Sequence, residues 1–223
     1  MTEAFRGFPK GGAAFFAQLA KKQDRDWFKA NKERYETLWQ QPMEALLATV
    51  APKLARTFPD VADAKPKVMR IYRDTRFSKD KSPFKTNIGA TLPFSSAPAA
   101  PALYVHGSAE KQFAGFGVWH MEPDVLARFR EAVADAGGAA LAKELAKLHA
   151  KGFELLEHEP LKRVPAPYPA DHPRGALLKL RGFGLSYPKV PAGLTATPKY
   201  ADWIVAQSKA ASKVIDWLET ALA

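Results

Sequence analysis

Four short apolar segments between residues 67 and 120 constrain the fold more than any other feature of this sequence. Each segment is rich in β-branched or aromatic residues and is bounded by Pro, Ser or Gly, which is the pattern of β-strands. The segments are residues 68–73, 88–94, 102–106 and 112–119. The gaps between them are too short for the helical crossovers that parallel strands need. The sequence therefore predicts an antiparallel meander, with its last hairpin turning at residues 107–111.

The first sixty residues have the apolar spacing of helices instead. Aromatic and aliphatic residues recur every three or four positions in residues 1–60. Asp24 stands where it can cap the longer of these helices, because its carboxylate can accept from free backbone N–H groups. Pro42 is expected to kink that helix or to begin a second one, since proline removes a helical hydrogen bond.

Helical spacing returns in residues 121–223. We expect Gly137 and Gly138 to end the first of these helices and a second helix to follow them. Short strands are predicted at residues 153–156 and 183–187. The predicted fold class is therefore α+β: a central antiparallel β-meander is packed by N-terminal and C-terminal helices in a single domain.

Composition excludes several classes of site. The chain of 223 residues contains no cysteine, so disulfides, thiolate metal sites and cysteine nucleophiles are excluded. No stretch approaches the ~20 apolar residues of a membrane-spanning helix, and residues 1–10 lack the apolar core of a signal peptide. We therefore expect a cytoplasmic protein with no membrane partner, and its oligomeric state is left open.

Histidine spacing gives no support for a metal site. None of the five histidines falls into a recognised ligand pattern. They are His106, His120, His149, His158 and His172. We therefore expect no metal and no other cofactor. If the last hairpin turns near residue 109, His106 faces Phe113 on the neighbouring strand.

Positive charge is concentrated in one part of the chain. Residues 61–90 hold eight Lys or Arg and three acidic residues, a net +5 of the formal +10. Guanidinium groups, lysines and free backbone N–H groups are the groups that bind phosphate or carboxylate. The candidate ligand-binding residues are Arg70, Arg73, Arg76, Ser78, Lys79, Lys81, Lys85, Thr86 and Asn87. We expect Phe77 and Phe84 to anchor this loop to the core, and a phosphate-bearing ligand or nucleic acid to be the partner.

The same charges also fit a structural role. Because side chains alternate between the two faces of a strand, Arg70 and Arg73 point in opposite directions if the strand is regular. One of them then shares a face with core residues and needs a partner, since an unpaired buried charge is costly. Asp74 is the nearby carboxylate for Arg73 or Arg76. A network of ion pairs that fixes the end of the strand is therefore the alternative to a ligand site.

Two residues are candidates for acid–base chemistry. Asp74 lies within the basic segment, and the imidazole of His172 titrates near neutrality. Since His172 precedes Pro173, it is also placed to cap a short helix, and base rates favour that role. The sequence contains neither a Walker loop nor a nucleophile elbow.

Aromatic residues on the predicted strands have two interpretations. They are Tyr72, Phe113, Phe116 and Trp119. Exposed rings would stack bases, as they do in proteins that bind single-stranded nucleic acid. Because Phe113 and Trp119 alternate with Gly115 and Gly117 on a face that helices should cover, the sequence favours core positions for them. The glycines are expected to permit close packing.

Several motifs together resemble a known family. They are Trp27-Phe28, Asn31-Lys32, Tyr35-Glu36, the basic segment at residues 70–87, Gly115-Phe116-Gly117 before Pro123, and His172-Pro173. On these residues the chain is similar to the family catalogued as domain of unknown function 2461, which is found widely in bacteria. The resemblance covers nearly the whole chain and implies the same domain boundaries and an intracellular setting. It implies no reaction.

Three functional hypotheses follow. The first is a binding module that presents residues 70–87 to a phosphorylated ligand or a nucleic-acid backbone, with an affinity that falls steeply with salt. The second is an enzyme acting on a small phosphorylated or carboxylated substrate, with Arg70, Arg73 and Arg76 as clamps. It requires a pocket where these side chains converge with Asp74 or His172. The third is a scaffold with no small ligand. The concentration of charge favours the first.

Overall fold

An antiparallel sheet lies at the centre of the protein, in a computed structural model that describes residues 4–76, 78–156 and 159–223. Within these residues its strands are β1 Lys67–Val68, β2 Asn87–Pro93, β3 Ala102–Ser108, β4 Gln112–Val118, β5 Glu154–Leu155 and β6 Phe183–Ser186. Their order across the sheet is β1-β2-β3-β4-β6-β5, and each pairing is antiparallel.

In the sequence, helices come before and after the strands of the meander. They are α1 Gly12–Lys21, α2 Arg25–Ala30, α3 Lys32–Tyr35, α4 Gln41–Leu54, α5 Pro123–Ala134, α6 Ala136–His149, α7 Gly175–Leu178, α8 Lys199–Ala210 and α9 Ser212–Leu222. The α+β fold class is therefore confirmed. Asp24 caps α2, because its carboxylate accepts the Trp27 N–H at 2.7 Å. Pro42 lies in the first turn of α4, as one of the two expectations predicts, but a π-helical turn, Glu36–Gln40, leads into α4 and the backbone stays helical there. The helical run is interrupted at Asn31 instead.

The meander forms as the strand spacing predicts. Strands β2, β3 and β4 pair in chain order, and His106 stands opposite Phe113. The two short strands predicted beyond the meander extend the same sheet as β5 and β6. Gly115 and Gly117 lie where β4 meets β6, and a Cβ on either would lie 2.5 Å or 2.0 Å from a β6 backbone oxygen. The prediction that these glycines permit close packing is confirmed.

The predicted stop at Gly137 and Gly138 is wrong. Both glycines lie in the first turn of α6, and the break between α5 and α6 falls at Asp135. A Cβ on Gly138 would lie 1.9 Å from the Val133 backbone oxygen. The glycine therefore allows the two helices to meet closely, rather than ending a helix. The guanidinium of Arg174 donates to backbone oxygens at the end of α5, at 2.6 Å and 2.8 Å.

The strand predicted at residues 68–73 is shorter than expected. Its regular pairing with β2 ends at Val68, and the chain then continues to one isolated bridge between Tyr72 and Phe84. The register differs by two residues between the Val68–Ala90 pair and this bridge. The extra residues lie on the second strand, so the ladder cannot run unbroken from β1 into residues 70–73.

The helices cover one face of the sheet. Residues directly opposite one another on paired strands share a face, and Leu92, Leu103, Phe116 and Leu185 form one such buried row. The other face carries the alternate residues. We call this second surface the open face and define it by Gly89, Thr91, Tyr104, His106, Phe113, Gly115 and Trp119.

Trp39 joins the N-terminal helices to the covered face. The residue is fully buried, its indole N–H donates to the Gly12 oxygen at 2.9 Å, and its ring packs on Phe16 with centroids 5.1 Å apart. A Cβ on Gly107 of β3 would lie 2.3 Å from the ring, and one on Gly12 would lie 2.8 Å from it. The missing side chains therefore allow the indole to lie directly against β3 and α1.

We expect Gly107→Ala to lower the free energy of unfolding by about 1–3 kcal/mol, because the added methyl group overpacks the core against Trp39. Urea denaturation measures this change. The control is Gly137→Ala, whose Cβ would meet its nearest neighbour at 3.4 Å and which places alanine in a helix, where it is favoured. Equal stability of Gly107→Ala and the wild type would contradict the close packing of Trp39 on β3.

Candidate functional site

Residues 70–76 and 78–87 form the two arms of a hairpin at the β1 edge of the sheet, which we call the basic hairpin. The Arg73 N–H donates to the Pro83 oxygen at 2.9 Å, and the Lys85 N–H donates to the Ile71 oxygen at 2.8 Å. These bonds flank the bridge between Tyr72 and Phe84. The sequence signature is therefore one folded unit that projects from the sheet.

Aromatic packing anchors the root of the basic hairpin. Phe84 is buried, and its ring stacks on Phe28 of α2 with centroids 4.4 Å apart. Tyr72 packs against the same ring at 5.4 Å. The predicted anchor at Phe84 is confirmed, whereas the predicted anchor at Phe77 lies outside the described residues.

Two of the predicted ligand-binding arginines make ion pairs within the hairpin. The Arg76 guanidinium donates twice to the Asp74 carboxylate, at 2.7 Å and 3.1 Å. These hydrogen bonds lower the pKa of Asp74 to about 2. Arg73 pairs with Asp80 at 2.7 Å. For Arg73 and Arg76, the structural alternative of an ion-pair network describes the geometry better than a clamp on a ligand.

The tip of the hairpin is shaped by short polar contacts. The Ser78 hydroxyl accepts the Asp80 N–H at 3.2 Å, and the Asp80 carboxylate accepts the Ser82 N–H at 2.9 Å. The Lys81 ammonium donates to the Thr75 oxygen at 2.9 Å. Ser78 and Lys81 therefore have structural partners. Lys79 is exposed and forms no ion pair within the described ranges.

Arg70 and Lys85 are cations without a carboxylate partner. No Asp or Glu oxygen lies within 4.0 Å of either charged group among residues 4–76, 78–156 and 159–223. Lys85 is half-buried, and its pKa is lowered first by burial and then by the charges of Arg70 and Arg73. Thr86 and Asn87 follow it, half-buried, where β2 begins. The hairpin root therefore holds like charges close together. Neither cation is compensated by an ion pair, and Asp74 interacts with Arg70 only from beyond 4.0 Å.

A cavity of about 600 Å³ opens beside this root, and we call it the edge pocket. It lies between the N-terminal helices and β1, and its lining includes Phe28, Lys32, Tyr35, Glu44 and Arg70. Lys32 is paired with Glu36, and Glu44 accepts from Gln40 at 3.0 Å. Burial, and then the charge of Glu44, raise the pKa of Tyr35 to about 12, so its hydroxyl stays protonated.

A family model described as conserved hypothetical protein (DUF2461) matches residues 12–217. The chain belongs to this family. No curated protein and no solved structure matches the chain.

The edge pocket brings together residues from two distant parts of the sequence. Of the motifs that carry the family resemblance, Phe28, Lys32 and Tyr35 from the helices meet Arg70 and Tyr72 from the hairpin around this one cavity.

The structure of this DUF2461 domain separates the two acid–base candidates. Asp74 is held by Arg76 in the hairpin. The His172 Nδ1 atom accepts the Arg174 N–H at 3.1 Å, immediately before α7, so it caps the turn that begins this short helix. Helix α7 packs on α5 rather than on the basic hairpin. Neither candidate lines the edge pocket, and of the three predicted clamp arginines only Arg70 does.

Sequence reasoning misjudged the aromatic residues of the sheet. Trp119 is 56% exposed and Tyr72 is 52% exposed, while Phe113 is half-buried on the open face. The core positions favoured for these residues are therefore wrong, and only Phe116 is a core residue. The alternation with Gly115 and Gly117 was the only sequence signal for these positions. It could not separate an exposed face from a buried one, because a strand face of alternating rings and glycines is compatible with both.

A cluster of rings occupies the open face near the basic hairpin. His106 stacks on Phe113 with centroids 4.8 Å apart, and its Nδ1 lies 3.2 Å from the Tyr104 hydroxyl. The Lys111 ammonium lies 5.2 Å from the centre of the Phe113 ring. Burial, with a smaller effect of Lys111, lowers the pKa of His106 to about 4.

Two further findings bear on the site. Across the described part of the chain, no group of three or more His, Asp or Glu side chains is arranged to hold a metal ion. In the same residues, no helix has the length and apolar character needed to cross a membrane.

Stability should depend on His106 between pH 6.5 and pH 4. Its pKa is lowered in the folded protein, so the unfolded chain takes up a proton first as the pH falls. The stabilisation present above pH 6.5 is then lost toward pH 4, to an extent of at most about 3 kcal/mol. Urea denaturation across this pH range should therefore show that the free energy of unfolding falls more steeply with decreasing pH for the wild type than for His106→Gln. If the free energy of unfolding changed with pH in the same way for both proteins, the buried neutral imidazole would be contradicted.

Proposed function

We propose that this protein is a binding module that holds a phosphate group at the root of the basic hairpin, between Arg70 and Lys85. The phosphate belongs to a phosphorylated ligand or to a nucleic-acid backbone. The observation that supports the proposal is the pair of cations without carboxylate partners, one of which is half-buried.

The energetic argument starts from repulsion. Holding Lys85 near Arg70 and Arg73 costs free energy, since like charges repel and partial burial weakens hydration. A scaffold would gain stability by replacing such a lysine with an apolar residue. An anion that binds at this point removes the repulsion, and charge-assisted hydrogen bonds to phosphate are among the stronger contacts available to a protein.

The ion pairs of the hairpin support the same proposal. Arg73–Asp80 spans the loop, and Arg76–Asp74 neutralises a second arginine within one arm of it. The aromatic contacts of Phe84 fix the root on α2. Together they hold the two uncompensated cations in place, and preorganised groups lose less entropy on binding.

The charge of Glu44 in the edge pocket favours an anion position at the mouth of the pocket. Glu44 lies inside the cavity, and its carboxylate would repel a phosphate there. Arg70 lines the cavity and is exposed to solvent. The phosphate therefore contacts Arg70 from outside, and the interior is left to an uncharged part of the ligand. The enzyme hypothesis draws no support from the dispersed positions of Asp74 and His172.

Lys85→Met tests the proposal by separating stability from binding. The substitution keeps the apolar stem and removes the repelled charge, so we expect Tm to rise by about 1–3 °C. The affinity for inorganic pyrophosphate at low ionic strength should fall at least about ten-fold, because a charge-assisted contact is lost. Differential scanning calorimetry and isothermal titration calorimetry measure the two effects.

Lys209→Met is the matched control, because Lys209 is an exposed lysine near the end of α8. It removes the same charge and should leave both quantities unchanged. Arg70→Met should weaken pyrophosphate binding as Lys85→Met does. Unchanged pyrophosphate affinity in both hairpin variants would overturn the proposal, and so would the absence of pyrophosphate binding by the wild type.

A further inference from the structure

The open face carries an apolar cavity of about 620 Å³, on the side of the sheet away from the helices. Tyr104, Phe113 and Trp119 contribute rings to its lining, and Met69 and Leu156 contribute aliphatic groups. The glycines of β4 and β6 leave the backbone bare between these side chains. The cavity is therefore lined by aromatic rings above a backbone rich in glycine.

The rings of the open face are partly exposed, and Tyr104 and Phe113 are tilted by 55° to each other. Trp119 is more than half exposed, and Tyr104 lies 5.9 Å from Phe113 between ring centres. His106 stacks on one face of Phe113 with an angle of 24° between the rings, and the Lys111 ammonium lies 5.2 Å from the centre of the same ring. A supported ring keeps a fixed orientation, so a planar partner loses little entropy when it stacks on it. Every nucleobase presents such a planar face.

Charge across the sheet is polarised. Lys67 of β1 pairs with Thr91, which lines the cavity, and Glu154 of β5 lies at the opposite edge. These are the sheet's only charged strand residues within the part of the chain that the structure describes. The basic hairpin continues the positive edge beyond β1. An elongated anion would therefore follow the β1–β2 side of the sheet.

Met69 connects the two surfaces. Its side chain lines both the edge pocket and the open-face cavity, and it is the residue before Arg70. A chain of phosphates held at Arg70 and Lys85 thus passes beside the open face. The strands there are about 4.8 Å apart, so Tyr104 on β3 is ~10 Å from β1.

We propose that the open face binds single-stranded nucleic acid, with bases stacked on Phe113, Tyr104 and Trp119 and phosphates along the edge formed by Lys67, Arg70 and Lys85. This inference rests on the proposed function and names the source of the phosphate. Charge complementarity carries it: Lys67, Arg70 and Lys85 lie at the β1 edge, and Tyr104 and Phe113 lie two and three strands from that edge. Trp119 lies over Gly184 of β6, farther along the same face and toward Glu154 of β5.

An acidic peptide fits this surface less well. A peptide recognised by a sheet adds to a free strand edge through its backbone, whereas the cavity lies on a face whose strands are already paired with one another. Carboxylate side chains would match the cations but offer no planar groups to the rings. Nucleic acid supplies both features at a regular spacing.

Three fluorescent probes of equal length test the inference: oligothymidylate of about 12 nucleotides, an abasic phosphodiester oligomer and oligoglutamate. Fluorescence anisotropy should give at least about five-fold tighter binding of oligothymidylate than of the abasic oligomer, because each stacked base adds affinity. Trp119→Leu should remove most of that preference and leave binding of the abasic oligomer unchanged. Trp119→Phe keeps a ring and should retain the preference.

The controls separate this inference from the proposed function. Lys85→Met should weaken the binding of oligothymidylate and of the abasic oligomer to the same extent. Equal affinities of the wild type for these two probes would overturn base stacking, even if pyrophosphate binds. Tighter binding of oligoglutamate would identify an acidic protein as the partner and would also overturn the inference. Failure to bind pyrophosphate would instead overturn the proposed function. The Tm of each Trp119 variant is measured alongside, so that a loss of stability is distinguished from a loss of base stacking.

Discussion

The packing of Trp39 is the contact on which the rest of the structure depends. Its indole lies directly on the backbone of β3 and of α1, at two positions where glycine leaves no Cβ. The contact fixes the N-terminal helices on one face of the sheet, and the other face is left without them. It also determines where α2 lies, so that Phe28 can receive the ring of Phe84 and hold the basic hairpin.

The basic hairpin combines two uses of charge. Arg73 and Arg76 are neutralised by carboxylates in the same loop and stabilise its shape. Arg70 and Lys85 have no ion-pair partner at the root, where burial and the charges of Arg70 and Arg73 disfavour the positive charge of Lys85. Natural sequences retain groups that lower stability mainly where function needs them. The uncompensated pair, rather than the charge excess as a whole, therefore marks the binding surface.

Much of the fold could be predicted from local pattern. The period of apolar residues identified the meander, and short connections fixed it as antiparallel. Asp24 was assigned correctly as a helix cap, because capping depends on neighbouring residues alone, although the helix it caps ends at Ala30. Pro42 lies in the first turn of α4 without a break before it. Gly138 was not assigned correctly, since its role is to let two helices approach. The end of β1 was also missed, because a shift in register depends on both strands.

The site was only partly predictable, for related reasons. Asp74 is two residues from Arg76, so the sequence suggested their pairing. The pairing of Arg73 with Asp80 depends on the course of the loop. Alternation put Phe113 and Trp119 on one face of a strand, but it could not say which face the helices cover. The edge pocket joins residues about forty positions apart, and only the tertiary structure brings them together.

The central claim is that Lys85 is a repelled cation kept in place for an anion. The most direct measurement is the pKa of its ammonium group by NMR, with and without inorganic phosphate. The account predicts a pKa below the ordinary lysine value in the free protein and a rise when phosphate is added, because a bound anion favours the charged form. An ordinary pKa that phosphate does not change would contradict the claim.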